Sequence, residues 1–191
     1  MLADLEEALC ALCTDAGLRR RLQKDGGPAL AAFALTPDER AALLSIPAAA
    51  LDRYAGSLLG KRSDELAAAL PLSVKVVPSL PSRYRRLLAR APARFEESVL
   101  GPGLREGLRL LPVLRAELDA DEGEAPWAGD LVAVEVLRAA SRADHHVRTA
   151  RLRHDLRPVL VDLRRGLVPT EVAAARLAVR CDGTGARFRD A

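Results

Sequence analysis

The stretch 126–140 constrains the fold of this chain more than any other. It holds the only tryptophan, Trp127, and its apolar residues fall on nearly every side of a helix drawn through it. A helix apolar all round has to be enclosed by the rest of the chain. The pattern of the sequence also changes there. Before it, Leu and Ala recur at three- and four-residue spacing, as in amphipathic helices. After Ser141, arginines alternate with apolar residues at period two, as in half-buried strands. Hydrophobic residues make up 49% of the 191 but aromatics only 3%, so the core has to be aliphatic. The expected class is α+β and mostly helical: an N-terminal helical bundle, further helices, and a small three-stranded, winged-helix-like module at the C-terminus.

Residues 3–13 fit a helix with Leu2, Leu5, Leu9, Leu12 and Cys13 on one side. Asp15, after Thr14, offers an N-cap for a helix over 15–24. Pro28 opens a short helix ending near Ala34. Thr36-Pro37-Asp38-Glu39 spells a capping box, with Pro37 in the first turn. The helix behind it carries Leu43, Leu44 and Ile46. Pro47 opens another, with Leu51, Tyr54, Leu58 and Leu59 inward and Gly60 as its stop. Residues 61–64 read as a joint, with Ser63 capping a short helix to Leu70. Prolines 71, 78 and 81 make 71–81 a connector or short helical pieces. A helix over 80–90 points Tyr84, Leu87 and Leu88 inward and Arg83, Arg85, Arg86 and Arg90 outward, and Phe95 falls in a loop.

A helix over 103–119 has Leu104, Leu108, Leu111 and Leu114 or Leu118 as its buried stripe. Pro112 is expected to kink or split it. An acidic turn leads into the central helix, where Glu135 is expected to reach Arg138 or Arg142. Strands are expected at 147–153, 172–181 and 186–189. A helix over 155–165, stopped by Gly166, lies between the first two, and Asp182-Gly183-Thr184-Gly185 makes a hairpin turn. The domains expected are 1–62, 63–142 and 143–191.

Charge is uneven. Residues 1–139 carry 18 basic and 20 acidic side chains, whereas residues 140–191 carry 11 basic and 6 acidic ones and all three histidines. A basic C-terminal module suits an acidic peptide, a protein partner or nucleic acid. Catalytic signatures are missing: there is no nucleophile elbow, phosphate loop or dinucleotide fingerprint. Cys10 and Cys13 have knuckle spacing but lie on one helical pattern with no second pair, so they read as core cysteines. His145, His146 and His154, with Asp144 and Asp155, are the remaining metal candidates. Adjacent histidines on a strand point to opposite faces, which leaves such a site incomplete. Three scattered cysteines and an acidic, amphipathic N-terminus are what a cytoplasmic chain would show. Trp127 reads as a core anchor at a helix start or, failing that, an interface residue.

Three blocks carry a family resemblance. They are Phe33 and Thr36–Glu39 running on to Tyr54, Leu58, Lys61 and Arg62; Pro126, Trp127, Asp130, Leu131 and Glu135; and His154, Asp155, Arg157 and Pro158 with Leu163 and Gly166. Together they resemble the partner proteins of multinuclear non-haem iron-dependent oxidative enzymes in ribosomal peptide natural-product biosynthesis, in an actinobacterial branch. The run Leu35-Thr36 to Glu39 also looks like the small helical subunit of some ring-cleaving dioxygenases. The resemblance implies a non-catalytic partner that binds a ribosomally made precursor peptide and docks on the iron enzyme. The iron would belong to the enzyme, with no cofactor on this chain. A leader peptide would join a sheet edge at 147–153 or 174–181 as an added strand. Arg148, Arg151, Arg153, Arg176 and Arg180 would face it, and Trp127, Glu135 and His154 would meet the enzyme. A winged-helix DNA-binding regulator is the alternative, and a histidine-based metalloenzyme a third reading.

Overall fold

The computed structural model describes residues 2–90 and 98–191, so the expected loop around Phe95 lies outside the described residues. The chain is mostly helical with a C-terminal three-stranded antiparallel sheet. It divides into two compact units, Met1–Lys61 with Arg85–Glu96, and Arg62–Tyr84 with Glu97–Ala191.

The first unit begins with α1 (Leu2–Thr14) and α2 (Ala16–Asp25). Asp15 caps α2, its carboxylate accepting the amides of Gly17 and Leu18. The stretch after Pro28 forms a single 3₁₀ turn (Gly27–Leu30) rather than a helix to Ala34. Helix α3 (Pro37–Ser45) starts with the expected capping box: Thr36 accepts the Glu39 amide, and Glu39 accepts the Thr36 amide at 2.8 Å. Ala8, Leu12, Leu18, Leu30, Leu43 and Leu51 form the core of this unit. Leu9 and Tyr54, expected on the apolar side, are exposed, and so is Leu44.

Helix α4 (Ala48–Ala69) overturns the expected stop, because it runs unbroken through Gly60; residues 61–64, expected to be a joint, are helical, and the division between the two compact units falls there. A glycine inside a helix costs only about 1 kcal/mol. Here it also makes room: a Cβ at Gly60 would lie 2.8 Å from the Arg85 guanidinium. Ser63 is no cap; its hydroxyl donates to the Pro81 carbonyl at 3.0 Å. The proline-rich stretch forms α5 (Pro71–Val76) and leads into α6 (Leu80–Arg90), where Tyr84, Leu87 and Leu88 are buried as expected.

In the second unit, α7 (Pro102–Asp119) runs as one helix past Pro112, whose ring lies on its exposed side. Its buried positions include Leu104, Leu110, Leu114 and Leu118, while Leu108 and Leu111 are half-buried. Helix α8 (Ala128–Asp144) is buried at every position from Ala128 to Leu137, as its all-round apolar sequence requires. It packs tightly on α7 because residue 129 is glycine. A Cβ there would meet Asp119 Oδ1 at 2.6 Å and Arg115 Cγ at 3.0 Å.

The chain then forms β1 (Arg148–His154), α9 (Leu156–Arg164), β2 (Ala174–Asp182) and β3 (Gly185–Asp190). The sheet order is β1-β2-β3, so β2 is central. Thr184 and Gly185 donate their amides to Asp182, shaping the two-residue hairpin between β2 and β3. One core joins α8, α9 and the inner face of the sheet: Trp127, Leu131, Val134, Leu152, Leu156, Val159, Leu163, Leu177, Val179 and Cys181.

Candidate functional site

Side chains alternate across a strand, so the registers sort the arginines of the sheet by face. Leu152 opposes Leu177 and Ala150 opposes Val179, and these residues point inward. Their neighbours point away from the core. Across the outer face, Thr149, Arg180 and Arg187 form one row, and Arg151, Ala178 and Arg189 the next. Arg153 and Arg176 are exposed beside these rows. Arg153 pairs with Asp119. Among the described residues, no carboxylate lies in ion-pair reach of Arg151, Arg176, Arg180, Arg187 or Arg189. Arg180 and Arg187 face each other directly, an arrangement that like charges make unfavourable.

Three of the expected peptide-facing arginines, Arg151, Arg176 and Arg180, therefore share one surface, while Arg153 lies at a register shift and turns to Asp119. Arg148 lies apart from them. It opposes Cys181 on the inner face and is held by Asp144 at 2.5 and 2.7 Å. Arg187 and Arg189 were not among the expected site residues. The alternation of Arg187, Phe188 and Arg189 in a short strand was the signal that could have placed them.

The two edges of the sheet differ. The expected docking edge at 174–181 is the central strand, paired on both sides, and cannot accept another. The other expected edge, β1, is capped from within along residues 151–154. Asp130, fully buried in the first turn of α8, accepts the amides of Arg153 at 2.8 Å and His154 at 3.0 Å. Arg115 pairs with Asp130 and donates to the Arg151 carbonyl at 2.9 Å. The far edge of β3 has no such cover. Among the described residues, the backbone of 186–190 makes no hydrogen bond outside its ladder with β2.

A cavity of about 380 Å³ opens beside this free edge. Ala186 and Phe188 form its sheet wall and Leu160 and Val161 of α9 the facing wall. Arg138, Arg157 and Arg164 add positive charge. Arg157 is tied to Asp155 at 2.7 Å. Val159 and Leu163 anchor α9 in the core, which turns its other side toward the cavity.

The expected enzyme-facing residues are turned inward. Trp127 is 1% exposed and precedes the first residue of α8, as expected of a core anchor. Its side chain offers no surface to a partner. Glu135 borders the cavity but does not take an arginine as its hydrogen-bond partner. It accepts the amides of Leu72 at 3.2 Å and Ser73 at 2.6 Å, at the start of α5. A helix start presents free amides, which satisfy a carboxylate as a cation would. Burial pushes the Glu135 carboxyl above its ordinary value, while these hydrogen bonds and nearby Arg138 oppose the shift. The Nδ1 of His154 lies 3.0 Å from Asp130 Oδ2.

The metal candidates do not assemble. His145 and His146 precede β1 rather than lying on it, and His145 closes α8 in a left-handed conformation (φ 60°). Among the described residues, no group of three metal-ligating side chains is present. Cys13 is buried in α1, and burial pushes the Cys181 thiol up to about 11. Among the described residues, no helix is long and apolar enough to cross a membrane. Comparison with protein families, curated proteins and solved structures gives no match to this chain.

Proposed function

We propose that this protein is a non-catalytic partner that holds a precursor peptide as a fourth strand on β3 and docks on an iron-dependent oxidative enzyme, which modifies the peptide. The supporting observation is the asymmetry of the sheet. The β1 edge is capped along residues 151–154 by Asp130 and Arg115, whereas the β3 edge is open beside a cavity with both apolar and basic walls. Strand addition needs free main-chain groups and pockets for alternate side chains, and the β3 edge offers both. The resemblance to partners of iron enzymes supplies the enzyme in this reading.

The test is co-expression of the full chain with a neighbouring-gene iron oxidase and precursor peptide. The expected result is a co-purifying complex in which amide exchange slows along Gly185–Asp190. Peptide binding that leaves exchange in this strand unchanged would overturn the edge, and failure to bind either component would overturn the function.

The outward arginines favour a second reading, a duplex-binding regulator. In that reading α9 would read bases, yet its apolar residues go to the core and the cavity wall. Steep salt-dependent binding of duplex DNA would support the regulator.

A further inference from the structure

We infer that the open edge selects peptides in which acidic and apolar residues alternate. The inference rests on the strand-addition reading and specifies its ligand.

Residues opposite one another in paired strands share a face of the sheet. A strand added beside β3 would therefore place every second side chain on the outer face, beside Arg187 and Arg189. The intervening side chains would lie on the inner face, beside Ala186 and Phe188 and over the cavity walled by Leu160 and Val161.

The two faces call for opposite chemistry. On the outer face, Arg187 has Arg180 across one side and an empty position across the other. A glutamate or aspartate in that position would offset the like-charge contact, and a second would meet Arg189. Neither arginine has a carboxylate in ion-pair reach among the described residues, although Asp182 attracts Arg187 at longer range, so a bound acid displaces no existing ion pair. On the inner face, Ala186 and Phe188 of the strand and Leu160 and Val161 of α9 form the apolar part of the cavity, where apolar side chains fit, while Glu135, Arg138, Arg157 and Arg164 line the rest of it. The ligand class is an extended segment of about five or more residues with period-two acid and apolar positions.

A continuous phosphate chain fits the outer face less well. Asp182, on the outward side of β2, lies at the hairpin end of the arginine rows, and Arg153 at the opposite end is already paired with Asp119. The outer face also lacks aromatic side chains on which bases could stack.

Three labelled synthetic decapeptides test the inference by fluorescence anisotropy with the full chain. One alternates Glu with Val or Leu, one carries Gln at each Glu position, and one has the first peptide's composition in two blocks. The alternating acidic peptide is expected to bind about tenfold more tightly than the Gln peptide, as two partly exposed ion pairs would give. In R187Q/R189Q, whose altered side chains leave the core untouched, that preference should vanish while Gln-peptide binding stays. In V161N, binding of both alternating peptides should fall with their ratio kept.

Equal binding of the Glu and Gln peptides, or of the alternating and block peptides, would overturn the alternation and leave strand addition standing. If the precursor peptide itself leaves exchange along β3 unchanged, strand addition fails and this inference fails with it.

Discussion

Asp130 gathers four hydrogen bonds on one buried carboxylate: from Arg115, from the amides of Arg153 and His154, and from the His154 ring. Its position follows from local chemistry. It lies in the first turn of α8, where helix amides favour a negative charge, and Gly129 beside it lets α7 bring Arg115 close. Removing one partner of a buried pair leaves the other uncompensated, at a cost of about 3–5 kcal/mol. Asp130→Ala should therefore lower the stability of the second unit by about that amount, measured by urea unfolding. It should also free the β1 edge, so that exchange of the Arg153 and His154 amides rises even where the variant remains folded. A loss under about 1 kcal/mol, below the usual worth of a charged hydrogen bond, would show that the carboxylate is not holding the strand.

The end of α8 is joined to the start of β1 by Asp144 and Arg148, four residues apart. The Arg148 guanidinium holds the Asp144 carboxyl well below the ordinary carboxylate range, with the His146 amide assisting against burial. A carboxyl depressed in the folded state stabilises it above the unfolded pKa, near 3.8, and loses that effect as pH falls toward the depressed value. Asp144→Asn should thus cost about 1.5–3 kcal/mol at neutral pH. The gap from the unaltered protein should persist down to about pH 4 and close below it; urea midpoints across that range check this, and a gap that widened in acid would contradict it. Such contacts also mark what was legible beforehand. The Thr36–Glu39 box, the Asp15 cap, the α6 helix and the β2–β3 hairpin depend on neighbours in sequence, and their residue types announced them. Gly60 carries an ordinary stop signal, but the helix continues through it at a cost of only about 1 kcal/mol. Glu135 has plausible partners at helical spacing, but α5 brought amides to it instead, while strand parity turned Arg148 inward to Asp144. Strand order, and with it the identity of the free edge, is set by packing on α8 and could not be read from strand patterns alone.

At the scale of the whole molecule, the core that holds Trp127 also supports the proposed peptide site. Trp127, Val134 and Val159 belong to one cluster, and Val134 also lines the cavity beside β3. Because the chain has a single tryptophan, its emission reports the second unit without a competing signal from the first. A ligand that binds only the folded form stabilises it by RT ln(1 + [L]/Kd), about 2.7 kcal/mol at a hundredfold excess over Kd. The alternating acidic peptide should therefore raise the urea midpoint of the Trp127 transition progressively with concentration. Kd from that shift should agree with Kd from anisotropy. The shift should shrink in R187Q/R189Q by the same factor as the affinity, since binding and unfolding share one linkage. A peptide that binds without moving the Trp127 transition would have its site outside the second unit, and the β3 edge would lose its assignment.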